Sequence, residues 1–479
     1  MIIRMTPKSN ISGMSRDTTG SGVKTGNIKK APAGSTTRDM TKGSVFPLIF
    51  AFMFPMMLGN IFQQFYNIVD TIIAGKYIDA NALAAVGSTG HITNLFFALG
   101  NGLATGIGIV VSQFFGSGDN RGVRKTITNA FFMVGGTSVL VGVLGALLAR
   151  PILVYALRTP EEILDDAVIY MSVTCIGFIG TALYNTISYV MRGVGDSKTP
   201  LYFLIISSFL NIAMDLAFVI YLGMGVMGLA VATVTAQALS AVASIGYAFM
   251  RNPVFRFTRE DFSFDRDIVK TCFTLGGSMA LQSGLIALSF VVLQRVINSF
   301  GAVVVAAFTA TSKIENIINM QFKALGDSMS TFTGQNFGAR KGDRVKKGYR
   351  VGMSMMALYA LVMIPLMWLF GDFCMRIFVN EPEVINFGKT AMRILSSFYL
   401  PLGTIYVCRG ILNGAGDAKF PLISGVSEMV GRVVFPAFFC SLPFLGSWGL
   451  WVATGVTWTI VGVTAFIRYH MKDWRKGLF

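Results

Sequence analysis

Charged residues are scarce in this chain of 479 amino acids, at 13% of the sequence against 53% hydrophobic residues. Soluble proteins carry roughly 25% charged residues. With a mean hydropathy of +0.61, this deficit excludes an ordinary water-soluble protein, because most of the surface must face something other than water. The formal net charge is +16, but the basic residues lie in short loops and tails. This placement favours contact with anionic lipid over nucleic-acid binding.

Residue types that build metal and nucleophilic sites are also few. The two histidines are isolated and the five cysteines form no CxxC pair, so we predict reduced packing cysteines and no metal cluster built on them. No GxxxxGK[ST] loop is present, which excludes an ATP-driven pump in its own right. We find no convergent catalytic cluster, and we predict that the protein is not an enzyme and needs no organic cofactor.

Long apolar stretches dominate the chain from residue 44 onward. A bilayer-spanning helix needs about 20 apolar residues, and about twelve stretches reach that length without the strict alternation of membrane strands. The sequence therefore predicts an all-α integral membrane protein with about twelve transmembrane helices. The approximate spans are 44–74, 82–114, 125–149, 164–190, 199–222, 226–249, 268–297, 302–333, 349–370, 385–410, 420–443 and 447–469.

The distribution of Lys and Arg predicts the orientation of these helices. Alternate loops and the C-terminal tail carry twenty-two of these residues, and the other set of loops and loop edges carries six. Basic loops stay on the cytoplasmic side, so we expect a multi-pass protein of the plasma (inner) membrane with both termini cytoplasmic. Residues 1–42 are polar and lack the apolar run of a signal peptide, which predicts a disordered basic tail.

The two halves of the chain repeat each other. GDSKTPL at 195–201 returns as GDAKFPL at 416–422, and GLAVAT at 228–233 returns as GLWVAT at 449–454. Because each half holds six predicted spans, both enter the membrane in the same orientation, as parallel repeats do. We therefore predict two six-helix lobes, a linker and two tails, with boundaries at 1–42, 43–250, 251–267, 268–470 and 471–479.

These repeated loops, together with the opening span FPMMLGNIFQQFYNIVDTIIAG at 54–75, resemble the multidrug and toxic compound extrusion (MATE) family. The resemblance covers about residues 44–470. It implies two six-helix bundles around a V-shaped cavity and an antiporter that exports lipophilic, cationic drugs or metabolites in exchange for H⁺ or Na⁺. It also implies alternating access, with a lipid bilayer and small organic molecules as partners and a functional monomer. No other cofactor is implied.

Carboxylates inside predicted spans are costly to bury, so each one deserves a functional hypothesis. Asn211 and Asp215 lie four residues apart on one helix face. The resemblance implies a coupling-cation site in the N-terminal half, similar to that of the prokaryotic DinF-like subgroup. Asp70, Asn211, Asp215 and Thr233 match the family pattern residue by residue. They could take up protons, or could together hold Na⁺, which would then be the one metal ion of the protein.

The internal repeat serves as a control for this site. At the separation of the repeated loops, Asn211 corresponds to Arg432 and Asp215 corresponds to Pro436. The second half therefore lacks the pair, and the symmetry of the fold does not explain it. The alternative is a buried, hydrogen-bonded structural Asp215.

Further candidates concern the substrate and helix movement. The predicted span eight is unusually polar, and its Glu315 could attract a cationic substrate or be satisfied within the protein. Prolines remove a backbone donor and bend helices, so Pro47 and Pro55 are hinge candidates beside Asp70. The residues expected to line a substrate cavity are Glu315, Gln282, Tyr66, Tyr184, Met53 and Met57.

Two other functions remain open at this point. A flippase for a lipid-linked precursor would share the fold but would need a strongly cationic cavity, and Arg432 and Arg393 leave that open. A non-transporting membrane receptor or scaffold would not need carboxylates in the first half.

Overall fold

The computed structural model describes residues 37–471 and 474, apart from the side chain of His91. Its fourteen α-helices are α1 (Val45–Ile73), α2 (Ala80–Ser117), α3 (Asn120–Pro151), α4 (Glu161–Ile176), α5 (Phe178–Gly193), α6 (Lys198–Leu216), α7 (Gly225–Arg251), α8 (Arg266–Asn298), α9 (Ala302–Gly338), α10 (Gly342–Arg376), α11 (Pro382–Ser396), α12 (Tyr399–Gly414), α13 (Lys419–Ser441) and α14 (Gly449–His470). The predicted all-α membrane fold is confirmed.

Helix length and composition identify the membrane spans. Within the described residues, nine helices are long and apolar enough to cross a bilayer, and two bent pairs qualify as further spans. The pairs α4–α5 and α11–α12 bend by 45° and 51°. They occupy equivalent places in the two halves, as predicted spans four and ten. The remaining long helix, α9, is the predicted span eight, whose charged side chains make it too polar for the same test.

The two repeats form two bundles, α1–α7 and α8–α14. The largest buried apolar cluster belongs to the second bundle, but it also includes residues from the first half of α1, among them Ile49, Phe52 and Met56. A second cluster fills the first bundle around α2, α3 and α5. The first helix thus begins against the second lobe and ends in the first lobe. There Ile73 joins a separate small cluster of buried residues with Val219 and Leu229.

The loops rich in Lys and Arg meet at one end of the molecule, which we call the basic end. There the lobes exchange two equivalent hydrogen bonds. Gln113 of α2 donates from Nε2 to the carbonyl oxygen of Gly414 at 2.9 Å, and Gln335 of α9 donates from Nε2 to the carbonyl oxygen of Gly193 at 3.0 Å. Gln113 corresponds to Gln335 in the other repeat, and Gly193 corresponds to Gly414. The two hydrogen bonds are therefore related by the pseudo-symmetry of the fold.

Two glycines allow this close approach. A Cβ added to Gly116 would overlap the backbone of Gln335, and a Cβ added to Gly338 would overlap the backbone of Gln113. Both positions are helical, so their requirement for glycine is steric and does not come from backbone angles. The lobes are therefore in direct backbone contact at the basic end.

Residues 38–43 run across both lobes at the basic end. The Arg38 N–H donates to the carbonyl oxygen of Gly195, and the Met40 N–H donates to Gln335 Oε1 at 2.8 Å. Arg344 donates to the carbonyl oxygens of Met40, Lys42 and Gly43. The expectation of disorder up to residue 42 is thus wrong for this segment, because side chains of α9 and α10 satisfy its backbone. Residues 1–36 of the predicted tail lie outside the described residues.

The linker between the lobes is anchored by one buried carboxylate, Asp261. Its carboxylate accepts hydrogen bonds from the N–H and hydroxyl groups of Thr258. It also forms an ion pair with Arg124, whose Nε lies 2.8 Å from Asp261 Oδ2. Burial alone would raise the pKa of Asp261, but the hydrogen bonds from Thr258 and the Arg124 charge outweigh it and hold that pKa below its usual value of 3.8.

Candidate functional site

Three helices of the first lobe bring the predicted cation-binding residues together. Asp70 lies in the last turn of α1, Asn211 and Asp215 lie one turn apart on α6, and Thr233 lies on α7. Asp215 and Asn211 are buried, with 0% and 3% of their surface exposed. Asp70 and Asp215 are electrostatic neighbours. The Asn211 amide donates from Nδ2 to Thr233 Oγ1 at 3.4 Å.

This cluster has oxygen atoms without hydrogen-bond donors. Among the described residues, Asp70 Oδ1, Asn211 Oδ1 and both carboxylate oxygens of Asp215 are buried and receive no hydrogen bond from another group. Asp70 and Asp215 are close enough to hydrogen-bond to each other when one of them holds a proton. Two adjacent buried carboxylates cannot both keep their charge without compensation. A proton could supply it, or a cation such as Na⁺, since hard cations take oxygen ligands. The donor set fits either ion. The part of the chain that the structure describes contains no group of three or more His, Cys, Asp or Glu suited to a metal.

A separate cavity of about 490 Å³ lies between the two lobes. Helices α2 and α5 of the first lobe and α8, α9 and α12 of the second form its walls. Gln282, predicted to line a cavity, does so. Most of the polar lining comes from residues outside the set predicted to line a substrate cavity: Asn94, Asn101, Tyr189, Arg192, Tyr406, Arg409 and Asn413.

Glu315 does not belong to the described lining of this cavity. It is buried inside the second lobe, where it accepts a hydrogen bond from the Tyr399 hydroxyl at 2.6 Å and one from Asn319 at 3.4 Å. The polar stripe of α9 drifts around the helix, so Lys323 and Asp327 reach the cavity while Glu315, two to three turns earlier, faces the lobe interior. This arrangement corresponds to the alternative in which the Glu315 carboxylate is hydrogen-bonded within the protein and does not contact substrate.

The other proposed lining residues also lie elsewhere. Tyr184 is buried and donates its hydroxyl to the carbonyl oxygen of Pro200 at 3.0 Å. Met53 and Met57 pack against the core of the second lobe, whereas their neighbour Met56 lines the cavity. Tyr66 lies one turn from Asp70 and within its electrostatic reach. None of these four is in the described lining, because helical spacing identifies a face and not what that face meets.

The two proline candidates differ in position. Pro55 is buried in the interior of α1, where it removes a backbone hydrogen bond. Pro47 lies in the first turn, where no intrahelical bond would be lost. Pro55 is therefore the stronger hinge candidate.

Sequence reasoning missed the aromatic and basic pairs of the cavity. Arg192 lies over the ring of Tyr189, and Arg409 lies over the ring of Tyr406, with 5.3 Å and 5.9 Å from guanidinium carbon to ring centroid. The motif itself repeats, as YVMRG ending at residue 193 and YVCRG ending at residue 410, but a motif at the end of a span does not show that its side chains enter a cavity.

A duplicated helical bundle with a cavity between the halves and a buried carboxylate pair is the architecture of a two-lobed membrane transporter. The MatE family model matches twice, at residues 55–217 and 278–438, once in each half. The chain belongs to this family of multi-pass membrane transporters.

Curated relatives and solved structures agree with that assignment. "Probable multidrug resistance protein YpnP" of Bacillus subtilis is 30% identical over 91% of this chain and 97% of its own length. "Probable multidrug resistance protein NorM" of Thermotoga maritima is 24% identical over 83% and 86%. These relatives are transporters and not enzymes, and they support a role in drug efflux.

The fold is also that of solved transporters. A MATE protein in its bent conformation has a TM-score of 0.85 at 22% identity, covering 92% of this chain and 98% of its own. A MOP superfamily transporter from Pyrococcus furiosus, described by reversed polarity of its binding pocket, has a TM-score of 0.83 at 22% identity, covering 91% of this chain and 98% of its own. At this identity the likeness establishes the fold alone.

Proposed function

We propose that this protein is a secondary active antiporter that exports organic molecules in exchange for H⁺ or Na⁺ bound at Asp70, Asn211, Asp215 and Thr233. The observation that carries this proposal is the set of buried oxygens without donors in the first lobe. A structural carboxylate would be expected to have hydrogen-bond partners, as buried polar groups generally do. A site that binds and releases a cation must instead leave its ligands free in one state.

Alternating access is supported by the asymmetry between the two ends of the molecule. At the basic end, Gln113 donates to the Gly414 carbonyl, Gln335 donates to the Gly193 carbonyl, and residues 38–43 cross both lobes. Basic loops face the cytoplasm in membrane proteins. We therefore propose an inner-membrane protein with cytoplasmic termini, described here in a state closed towards the cytoplasm. Fourteen helices in two complete lobes also support a functional monomer.

Coupling requires that the cation and the substrate favour different states of the protein, because a ligand shifts an equilibrium only by its differential affinity. Helix α1 already packs against α6, and neutralising Asp70 and Asp215 would remove the repulsion between them and let the last turns of α1 approach α6 more closely. Since α1 also contacts the second lobe near Met56, movement of its last turns can be transmitted to the cavity. Pro55, directly before Met56, is the proposed bend point.

The charge of the cavity favours a second candidate. The described lining contains three basic residues and one acid, Asp327, which is opposite to the cationic substrate predicted from the sequence. A flippase for a lipid-linked anionic precursor would use such a cavity. We therefore propose organic substrates for the antiporter without assigning them a positive charge at this step.

Proteoliposome efflux tests the antiport. Two pyrene probes, one ending in butyltrimethylammonium and one in butanoate, would be loaded and their release followed under imposed proton or sodium gradients. We expect gradient-driven release of at least one probe by the wild type. Asp215→Asn should lose that response while remaining folded in gel filtration. Equal gradient-driven efflux by the wild type and Asp215→Asn would rule out this coupling site.

A further inference from the structure

Each lobe contributes an aromatic and basic pair to the cavity. Tyr189 and Arg192 come from α5, and Tyr406 and Arg409 come from the equivalent helix α12. In each pair the guanidinium group lies over its own tyrosine ring. The two pairs are offset by about one helical turn, because Arg192 corresponds to Asn413 at the separation that relates Gly193 to Gly414. The cavity is therefore lined by one arginine from each lobe, at different heights.

The two arginines differ in what neutralises them. Arg409 forms a short ion pair with Glu428 and donates to the Ser424 hydroxyl at 2.6 Å. Glu428 also lies 3.7 Å from Arg432. In the first lobe, the position that corresponds to Glu428 is Ser207. The second lobe has thus built a carboxylate partner for its arginine, and the first lobe has a hydroxyl residue in its place.

Arg192 has no ion pair of its own and shares its electrostatic partner, Asp327, with Lys323. Its Nε is buried without a hydrogen-bond partner, and the ion pairs within 4.0 Å among the described residues do not include it. Lys323 enters the same cavity from α9 and is an electrostatic neighbour of Arg192, Tyr189 and Tyr406. The balancing acid is Asp327, one turn from Lys323. Two basic side chains therefore share one acid, and an anionic ligand would neutralise the remaining positive charge.

The charge balance of the whole region gives the sign of that ligand. The basic residues are Arg192, Lys323, Arg409 and Arg432, and the acids are Asp327 and Glu428, which leaves an excess of two positive charges. We propose that the cavity binds the phosphate or carboxylate group of an amphiphilic substrate between Arg192 and Lys323. This inference rests on the proposed transport function and assigns its substrate class.

The surrounding chemistry fits such a ligand. An arginine presents a planar fork of donors that matches a carboxylate or phosphate, and lysine adds a compact point charge. Tyr189 and Tyr406 offer ring surfaces, and Met56 and Met279 add adaptable apolar contacts. A volume of about 490 Å³ lies within the range of small-molecule sites. The apolar body of the substrate would lie against these side chains while its acidic group faces Arg192.

Equilibrium binding without any ion gradient tests this inference. Purified full-length protein would be titrated with the two pyrene probes, and binding would be followed by fluorescence anisotropy. We expect the wild type to bind the butanoate probe more tightly. Arg192→Gln and Lys323→Gln should each weaken its binding by about tenfold, the effect of roughly one charged hydrogen bond, without weakening the ammonium probe. Asp327→Asn should strengthen binding of the butanoate probe.

Matched controls separate this result from general charge effects and from coupling. Arg121→Gln removes an equal charge from an exposed pair at the basic end and should leave both affinities unchanged, while Arg192→Lys should retain most of the anion affinity. Because no gradient is applied, failure of Asp215 coupling would not alter the outcome. If the Arg192→Gln variant does not fold, the affinity of Lys323→Gln for the butanoate probe tests the inference instead.

Competition identifies the source of the anion. Displacement of the butanoate probe by short-chain phosphatidylglycerol, but not by naphthyl phosphate, would support a lipid headgroup. The reverse would support a soluble organic anion. Tighter wild-type binding of the ammonium probe would overturn the inference. Unchanged butanoate binding in the folded glutamine variants would also overturn it.

Discussion

The two lobes share a fold but treat their buried carboxylates differently. In the second lobe, Glu315 is bound by Tyr399 and Asn319, and Glu428 is bound by arginines. In the first lobe, both oxygens of Asp215 and one oxygen of Asp70 lack donors. Since the repeats impose the same helix packing, the difference lies in side chains alone. It indicates that the first lobe is built to bind an ion and the second to hold its acids in place.

The largest effect is expected when the proposed coupling carboxylate of the first lobe is compared with a buried carboxylate of the second lobe. Asp215→Asn should reduce gradient-driven efflux at least tenfold, because an amide cannot take up a proton and is a weaker cation ligand. Glu315→Gln removes a buried carboxylate of the other lobe and should cost much less, since the Tyr399 hydroxyl can still donate to an amide oxygen. Proteoliposome efflux measured side by side checks the ranking. A larger loss in Glu315→Gln would place coupling in the second lobe.

The basic end offers a region where the lobes should respond alike. Gly116→Ala and Gly338→Ala each add a methyl group that overlaps backbone of the other lobe. Overpacking costs about 1–3 kcal/mol, so each variant should reduce the population closed at this end by roughly five- to 150-fold. Modification of a cysteine introduced nearby would report the opening.

Gly135→Ala is the matched control, because a Cβ there meets nothing within 4 Å. It should leave the labelling rate unchanged. Different effects of Gly116→Ala and Gly338→Ala would contradict the pseudo-symmetric contact.

A smaller effect is expected at the linker, where Asp261 is compared with its exposed neighbour Glu260. Asp261→Asn loses a charged acceptor for Thr258 and Arg124 and should lower the free energy of unfolding by about 1–3 kcal/mol. Glu260→Gln removes a surface pair, 78% exposed on the Glu260 side, and should change it by less than about 1 kcal/mol. Thermal unfolding in detergent measures both.

The same comparison predicts a pH dependence. Because the pKa of Asp261 is lowered in the folded protein, its contribution is present above its ordinary pKa of 3.8 and is lost as the pH falls through the folded value. The stability gap between wild type and Asp261→Asn should therefore be constant near neutral pH and narrow below about pH 4. A gap that widens on acidification would contradict this assignment.

Much of this architecture could be predicted from the sequence, because membrane solvation leaves few choices. Apolar length gave the spans, and the duplicated GDSKTPL and GDAKFPL loops gave the halves. Helix spacing placed Asn211 and Asp215 on one face, and the family resemblance alone predicted that Asp70 belongs with them. The sequence did not predict which elements each helix face contacts. Periodicity places Glu315 on a polar stripe of its helix, but it does not show that this part of the stripe faces the interior of the second lobe.

The same limit explains the missed cavity residues. Whether Arg192 has a carboxylate partner depends on what α6 presents to α5, and that requires three-dimensional packing. Residues 38–42 read as disordered because nothing local orders them, whereas their hydrogen-bond partners lie nearly 300 residues away, at Gln335 and Arg344.

Cation binding by the purified protein tests the central difference between the lobes most directly. Sodium-22 binding and the number of protons taken up in potentiometric titration would be measured for the wild type, Asp215→Asn and Glu315→Gln. The account predicts that the wild type binds one of these ions, that Asp215→Asn loses this binding and that Glu315→Gln retains it. Retention by Asp215→Asn together with loss in Glu315→Gln would contradict it.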